Sequence, residues 1–206
     1  MPRGRLITIE GLDGAGKTTL AMALLDVLRA RLGDVHLLRE PGGVEVAERI
    51  RDLVKDPGLR VGTRTEALLY AAARAELVEQ AIEPLLHRGA WVVLDRFVDS
   101  SIAYQGAGRG LPIAAVRDLN EFATRGLRPD RTLLLRLDPA LGRARAHARP
   151  APLDRLELER EEFFQRIAAA YGRLALEEPE RIRTIDAAQR PEEVLGCALQ
   201  ALAGLF

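Results

Sequence analysis

The sequence holds one cysteine, Cys197, among 206 residues. A lone thiol excludes a disulfide framework and any zinc site built from several cysteines, so Cys197 reads as a small buried hydrophobe. Lysine is almost as scarce: of 30 basic residues only Lys17 and Lys55 are lysines, and arginine carries nearly all the positive charge. Acidic residues also number 30, so there is no excess charge of the kind that holds a polyanion and no nucleic-acid partner is expected. Long hydrophobic runs are missing too. The first apolar stretch, residues 6–9, has four residues, too few for a signal-peptide core or a membrane span. The expectation is a cytoplasmic protein with no membrane partner. What is present is 48% hydrophobic and 29% charged residues, an ordinary globular balance, and a length that suits a single domain over residues 1–206.

Short apolar runs recur at 6–9, 35–38, 91–94, 132–137 and 182–185, each short enough to be a buried strand. Helical patterns lie between them. Leu20, Leu24, Val27, Leu28 and Leu32 follow three- and four-residue spacings, and Gly33 offers a left-handed residue to end that helix. Thr63 with Glu66 reads as a capping box opening a helix toward Arg88, which Pro84 interrupts near Glu83. Pro191 suits the first turn of the last helix. Strands alternating with helices predict an α/β fold in three layers, a five-stranded parallel sheet with helices on both faces and ligands at the carboxyl ends of the strands. Residues 143–155, with four arginines and two prolines, read as a mobile excursion.

Between the first strand and the first helix lies Gly11-Leu12-Asp13-Gly14-Ala15-Gly16-Lys17-Thr18, a match in letters and in context to the phosphate-binding P-loop. Backbone amides wrap a phosphate only where no side chain intrudes, which accounts for Gly11, Gly14 and Gly16. The helix N-terminus adds partial positive charge. Lys17 is placed to reach the β- and γ-phosphates of ATP, the Thr18 hydroxyl to ligate Mg2+, and Thr19 to support the α-phosphate. Asp13 is the misfit, because a carboxylate in an anion-binding loop repels phosphate; it requires another partner, a substrate hydroxyl or a metal-bound water. Asp95 ends an apolar strand, where P-loop proteins keep the carboxylate that holds magnesium or its waters.

A P-loop serves kinases, switches and motors alike, so the acceptor residues must decide. Together with GLDGAGKTT, the segments REPGG, LLYAAARAELV, LDRFVDSSIAYQGAGRG and PLDRLE resemble the thymidylate kinase family over nearly the whole chain. The resemblance implies a P-loop nucleoside monophosphate kinase fold, phosphorylation of dTMP to dTDP by MgATP, and a homodimer. It also implies that Arg39, Pro41, Arg74 and Arg96 belong to the dTMP site, Arg96 on the monophosphate and Arg74 at the thymine edge. Guanidinium forks suit phosphate oxygens in pairs. Tyr70 matches the aromatic that stacks on the base, one helical turn before Arg74. Ser100, Ser101, Tyr104 and Gln105 resemble the stretch that contacts thymine and sugar, with Tyr104 set to disfavour a ribose 2′-hydroxyl. The family places a catalytic arginine in the P-loop or in a lid; the loop here has none, so the lid, about 143–157, carries it, with Arg145, Arg149 and Arg155 as candidates beside Arg143. Catalytic roles then fall to Asp13, Lys17, Arg96 and the lid arginines. Residues 184–187 followed by Gln189 resemble the loop near adenine. Phe97, Val44 and Arg136 depart from the usual pattern, and Arg136 leaves Asp95 as the better metal candidate.

Overall fold

The computed structural model describes residues 3–150 and 152–206. Its five strands are β1 (Leu6–Gly11), β2 (Val35–Arg39), β3 (Trp91–Asp95), β4 (Arg131–Arg136) and β5 (Ile182–Asp186). They form one parallel sheet in the order β2-β3-β1-β4-β5. Each expected apolar run became a strand, because a parallel strand buried on both faces needs side chains that can leave water on both sides. Helices α1 (Lys17–Leu32) and α9 (Pro191–Leu202) cover one face, packing Leu20, Leu24, Leu28, Val194 and Leu202 on Ile7, Ile9, Val93, Leu133 and Ile185.

The other face divides into two clusters. Toward β2, the helix α3 (Thr63–Leu77) runs through a π-helical turn (Val78–Ile82) into α4 (Glu83–His87), and Leu77, Ile82 and Leu86 pack on Leu6, Val92 and Leu94. Toward β5, the short α5 (Val98–Ser101) continues into a π-helical stretch (Ile102–Gly108), followed by α6 (Ile113–Thr124) and α8 (Glu161–Glu177). There Phe163, Ile167 and Tyr171 pack with Ala103, Val116, Leu134 and Ile182. This is the three-layer α/β fold expected from the sequence. Helices α2 (Glu45–Lys55) and α7 (Pro139–His147) complete the chain.

Several local readings hold. Gly33 follows α1 with φ of 81°, Pro84 stands where the long helix changes winding, and Pro191 opens α9. The capping box does not form: α3 starts after Gly62 with no side-chain cap, and Glu66 turns inward to full burial. The excursion is also corrected. Its first part, through His147, is the end of α7, a helix capped by Asp138, whose carboxylate accepts from the amides of Ala140 and Leu141. Cys197 is half-buried against the α1–α9 core. At the amino end of the sheet Trp91 stacks on Phe206, ring centroids 5.3 Å apart, with the Arg31 guanidinium over the same phenyl ring.

The core between β4 and the α1–α9 layer rests on Leu133, which is fully buried. Leu133→Ala should cost about 2–5 kcal/mol through lost transfer energy plus a cavity, read as a fall in urea midpoint. The exposed Leu176→Ala should move it by less than about 0.5 kcal/mol.

Candidate active site

The strand order puts β1 in the middle, paired with β3 on one side and β4 on the other, while the chain leaving it crosses by α1 to the edge strand β2. Loops leaving neighbouring carboxyl ends diverge there, and a crevice opens between them. It is a cavity of about 390 Å³ lined by Asp13, Gly14, Gly16, Lys17, Thr18 and Thr19 of the P-loop. Arg39, Glu40 and Pro41 after β2, Tyr70 on α3, and Asp95, Arg96, Ser100, Ser101, Tyr104 and Gln105 after β3 form the wall opposite. Arg145, Arg149, Asp154, Leu156 and Glu157 close the remaining side.

Gly14 has φ of 79° and lies under α7, so a Cβ there would stand 2.1 Å from the carbonyl oxygen of Gly142. Only glycine satisfies both the dihedral and the contact. Lys17 folds back to donate from Nζ to the Leu12 carbonyl at 2.8 Å. Burial, and after it the positive charge of Arg96, bring its ammonium down to about 8. The Thr18 hydroxyl donates to Asp95 Oδ2 at 3.0 Å, so the two expected magnesium-side oxygens lie together at the loop. Gly11, Leu12 and Ala15 do not line the cavity: the Gly11 carbonyl accepts from Arg96, and Leu12 and Ala15 are buried in the two cores. Gln189 is exposed after β5 and also lies outside the cavity wall.

Asp13 finds its partner in Arg96. Nη2 of Arg96 stands 2.6 Å from Asp13 Oδ1, and the Tyr104 hydroxyl donates to Oδ2 at 3.0 Å. Burial would raise the Asp13 carboxyl, but Arg96 and then Lys17 overcome it and hold the group well below the usual carboxylate range. Arg96 itself has φ of 73°, a left-handed backbone costing a residue with a side chain on the order of 1–3 kcal/mol. That turn aims its guanidinium back over β1, where Nη1 donates to the Gly11 carbonyl at 3.1 Å and Ser100 Oγ at 3.2 Å. Its carbon lies 4.9 Å from the Tyr104 ring centroid.

Beneath it is Glu10, a residue the sequence reading missed. Its carboxylate, fully buried on β1, accepts from the amides of Phe97 and Ser100, from Ser100 Oγ at 2.6 Å and from the Tyr171 hydroxyl at 2.8 Å. Burial first, then Asp99, push its pKa up. The donors fix the start of α5 and hence the direction in which Arg96 leaves β3. An acidic residue inside an apolar strand was the available signal.

On the acceptor wall the expected role of Arg74 is corrected. Arg74 is 1% exposed and does not line the cavity. Its Nε donates to Glu40 Oε2 at 2.8 Å, Nη1 to Ser101 Oγ at 2.8 Å and to Asn120 Oδ1, and Nη2 to the Phe97 carbonyl at 3.0 Å while pairing with Glu40 at 2.6 Å. Four hydrogen bonds and the ion pair with Glu40 hold the fork on all sides. Arg74 therefore positions Glu40 and Ser101, and those two residues reach the cavity. Burial pushes the Glu40 carboxyl up to about 7 in spite of Arg74. Arg39 lines the cavity and pairs with Glu48 at 2.8 Å, and Arg51, also missed from sequence, lines it while donating to the Pro41 carbonyl at 2.7 Å.

The lid arginines divide. Arg145 and Arg149 line the cavity; Arg145 donates to the Ala187 carbonyl at 3.1 Å and Arg149 pairs with Glu157 at 2.6 Å. Arg155 does not line it. Its Nε donates to the Val54 carbonyl at 3.0 Å and its Nη2 pairs with Glu66 at 2.7 Å, which anchors the carboxyl-terminal root of the lid to α2 and α3. Lys55 and Asp154, 2.7 Å apart, make a second tie at the same place. Arg143 stacks over Phe164 and points away.

A glycine loop with its lysine at a helix start, faced across a crevice by arginines and an aromatic, defines a P-loop phosphotransferase with a second-substrate site. The thymidylate kinase family model matches residues 9–196, and the chain belongs to that family. It is 49% identical to a thymidylate kinase of Rhizorhabdus wittichii over 98% of this chain and 99% of the relative. It is 48% identical to one of Oenococcus oeni over 98% and 96%. Among solved structures, a thymidylate kinase of Ehrlichia chaffeensis superposes with a TM-score of 0.82 at 29% identity, covering 98% of this chain and all of that one.

Lys17 gives the site a pH signature. It is charged below about pH 8 and neutral above, and phosphate needs the charged form. The dissociation constant for a nucleoside triphosphate, measured by titration calorimetry, should rise about tenfold between pH 7 and 9. A flat profile would reject the assignment of Lys17.

Proposed function

We propose that this chain, a single kinase domain over residues 1–206, transfers the γ-phosphoryl group of ATP to the 5′-phosphate of dTMP, giving ADP and dTDP. The observation that carries this reading is Arg96, whose guanidinium touches the P-loop at Asp13 and Gly11 and the acceptor wall at Ser100 and Tyr104. A cation so placed holds the two reacting phosphates against each other. Oxygen of the acceptor phosphate attacks Pγ, the bond from Pγ to the bridging oxygen breaks, and ADP leaves. Gly14, Gly16, Lys17, Thr18 and Thr19 cradle the ATP phosphates, with Gln189 near adenine. Arg39, Pro41, Arg96 and Tyr104 surround the dTMP phosphate and sugar, and Tyr70, Ser101 and Gln105 meet thymine. Ser100 keeps Arg96 in place, and Arg74 holds Glu40 and Ser101.

The hydroxyl of Thr18 and the carboxylate of Asp95 are hard oxygen donors suited to Mg2+ or its waters, which would neutralise charge on the β- and γ-phosphates. Arg149 and Arg145 act on the moving phosphoryl group when the lid closes, Arg149 after leaving Glu157; Arg155 secures the lid's root. Closure also excludes water as a competing acceptor. The alternative, a hydrolytic switch, lacks an explanation for an acceptor wall of this composition.

We further propose a cytoplasmic homodimer. No helix among the described residues is long and apolar enough to cross a membrane. Helix α3 packs between α2 and α6, and these helices carry exposed Val46, Leu53, Leu68 and Phe122, the last 86% exposed.

ADP release from MgATP, measured with dTMP, dUMP, dCMP, dGMP, dAMP and no acceptor, should be greatest with dTMP and negligible without acceptor; equal release without acceptor would reject the kinase reading. Arg149→Ala or Arg145→Ala should lower turnover by roughly a thousandfold; near-normal turnover in both would remove the lid from catalysis. Sedimentation should give twice the chain mass, and Phe122→Asp or Leu68→Asp should halve it.

A further inference from the structure

One fully buried carboxylate near the cavity has so far only an anchoring task, its pair with Arg155 at the root of the lid. Glu66 on α3 is 0% exposed. Gln105 Nε2 donates to its Oε1 at 3.0 Å, Arg109 Nε to both oxygens at 3.2 Å, and Arg155 Nη2 stands 2.7 Å from Oε2. Every partner is a donor. A carboxylate held between two guanidiniums offers only acceptor atoms, and an amide has one donating and one accepting end. The nitrogen of Gln105 must therefore face Glu66, whichever way the amide would otherwise turn, and the carbonyl oxygen is directed away from it.

Gln105 also lines the cavity, beside Tyr70 and Ser101. We propose that Glu66 is a positioning residue that locks the Gln105 amide with its carbonyl oxygen toward the acceptor base, so that the pocket selects a pyrimidine bearing a ring N–H. Thymine and uracil carry that hydrogen at N3. Cytosine presents a lone pair there, which the carbonyl oxygen repels. The inference rests on the reading above that Gln105 meets the base. It gives the carboxylate a task beyond pairing Arg109 and Arg155, since a neutral amide at 66 would let Gln105 present either end.

The full chain is assayed with MgATP and either dTMP or dCMP, as wild type, Glu66→Gln, Gln105→Ala and the double variant, each checked by urea denaturation. Glu66→Gln should raise KM for dTMP more than it lowers kcat, and reduce the dTMP to dCMP ratio of kcat/KM by about tenfold or more. In the Gln105→Ala background the same change should leave that ratio within about twofold, because Glu66 acts through Gln105. Glu66→Asp, still acceptor-only, should keep most of the wild-type ratio. An unchanged ratio in Glu66→Gln, or an equal fall in both backgrounds, would overturn the proposal. A wild-type ratio in Gln105→Ala would instead remove Gln105 from the base, and with it the reading on which the inference stands. Since Glu66 also anchors Arg155, its variants can lose the fold; proton NMR of unmutated protein with dTMP then decides. The thymine N3 imino proton should be visible and slow to exchange, and its absence overturns the proposal.

Discussion

The ion pair between Arg96 and Asp13 is what makes two loops into one site. Without it a carboxylate would sit among phosphate-binding amides with nothing to offset its charge, and an arginine at the end of β3 would have no reason to adopt a left-handed backbone. With it, the acid of the P-loop becomes a fixed contact for the acceptor-side cation. The pair's direction is set one layer down, where Glu10 collects the amides at the start of α5 and the hydroxyls of Ser100 and Tyr171. A buried carboxylate is expensive to desolvate, and four donors are the compensation that lets it stay. The strain at Arg96 is thus held by a hydrogen-bonded scaffold in the sheet itself.

Sheet order explains why these groups meet at all. β3 lies beside β1, so the residues that leave its carboxyl end come up directly next to the glycine loop. β2 on the far side brings Arg39, Glu40 and Pro41 to the same edge, and α3, returning across that face, lays Tyr70 against them. The lid belongs to both halves. It begins on α7, whose Gly142 rests on Gly14 of the phosphate loop, and it ends at Arg155, fastened to α2 and α3. A segment with one root on the donor side and the other on the acceptor side is geometrically suited to respond to both occupants.

The strands and the glycine loop were legible in sequence because their signals are local: an apolar run of strand length, and a glycine spacing next to a helix start. The arginines of the acceptor wall were legible as residue types, but their tasks were not. Arg74 and Arg96 look alike in sequence, yet one is walled in by four hydrogen bonds and a buried ion pair and the other faces the crevice, and the difference lies in partners 23 to 46 residues away for Arg74 and 83 to 85 for the P-loop contacts of Arg96. Glu10 and Glu40 went unread for the same reason. A glutamate is normally a surface residue, and only the long-range donors that satisfy it reveal that it is buried. Glu66 was misassigned by its spacing from Thr63, a local rule that lost to Arg109, Arg155 and Gln105.

The chain's one tryptophan stands at the opposite end of β3 from Arg96, roughly 13 Å along the strand from Asp95. Its stacking partner is Phe206, with the Arg31 guanidinium of α1 over the same phenyl ring. The indole therefore reports on whether Phe206 is docked, and it lies outside the crevice wall. So placed, its emission should follow the packing of this end of the sheet rather than the contents of the crevice, which would let the folded fraction of a site variant be read beside its chemistry.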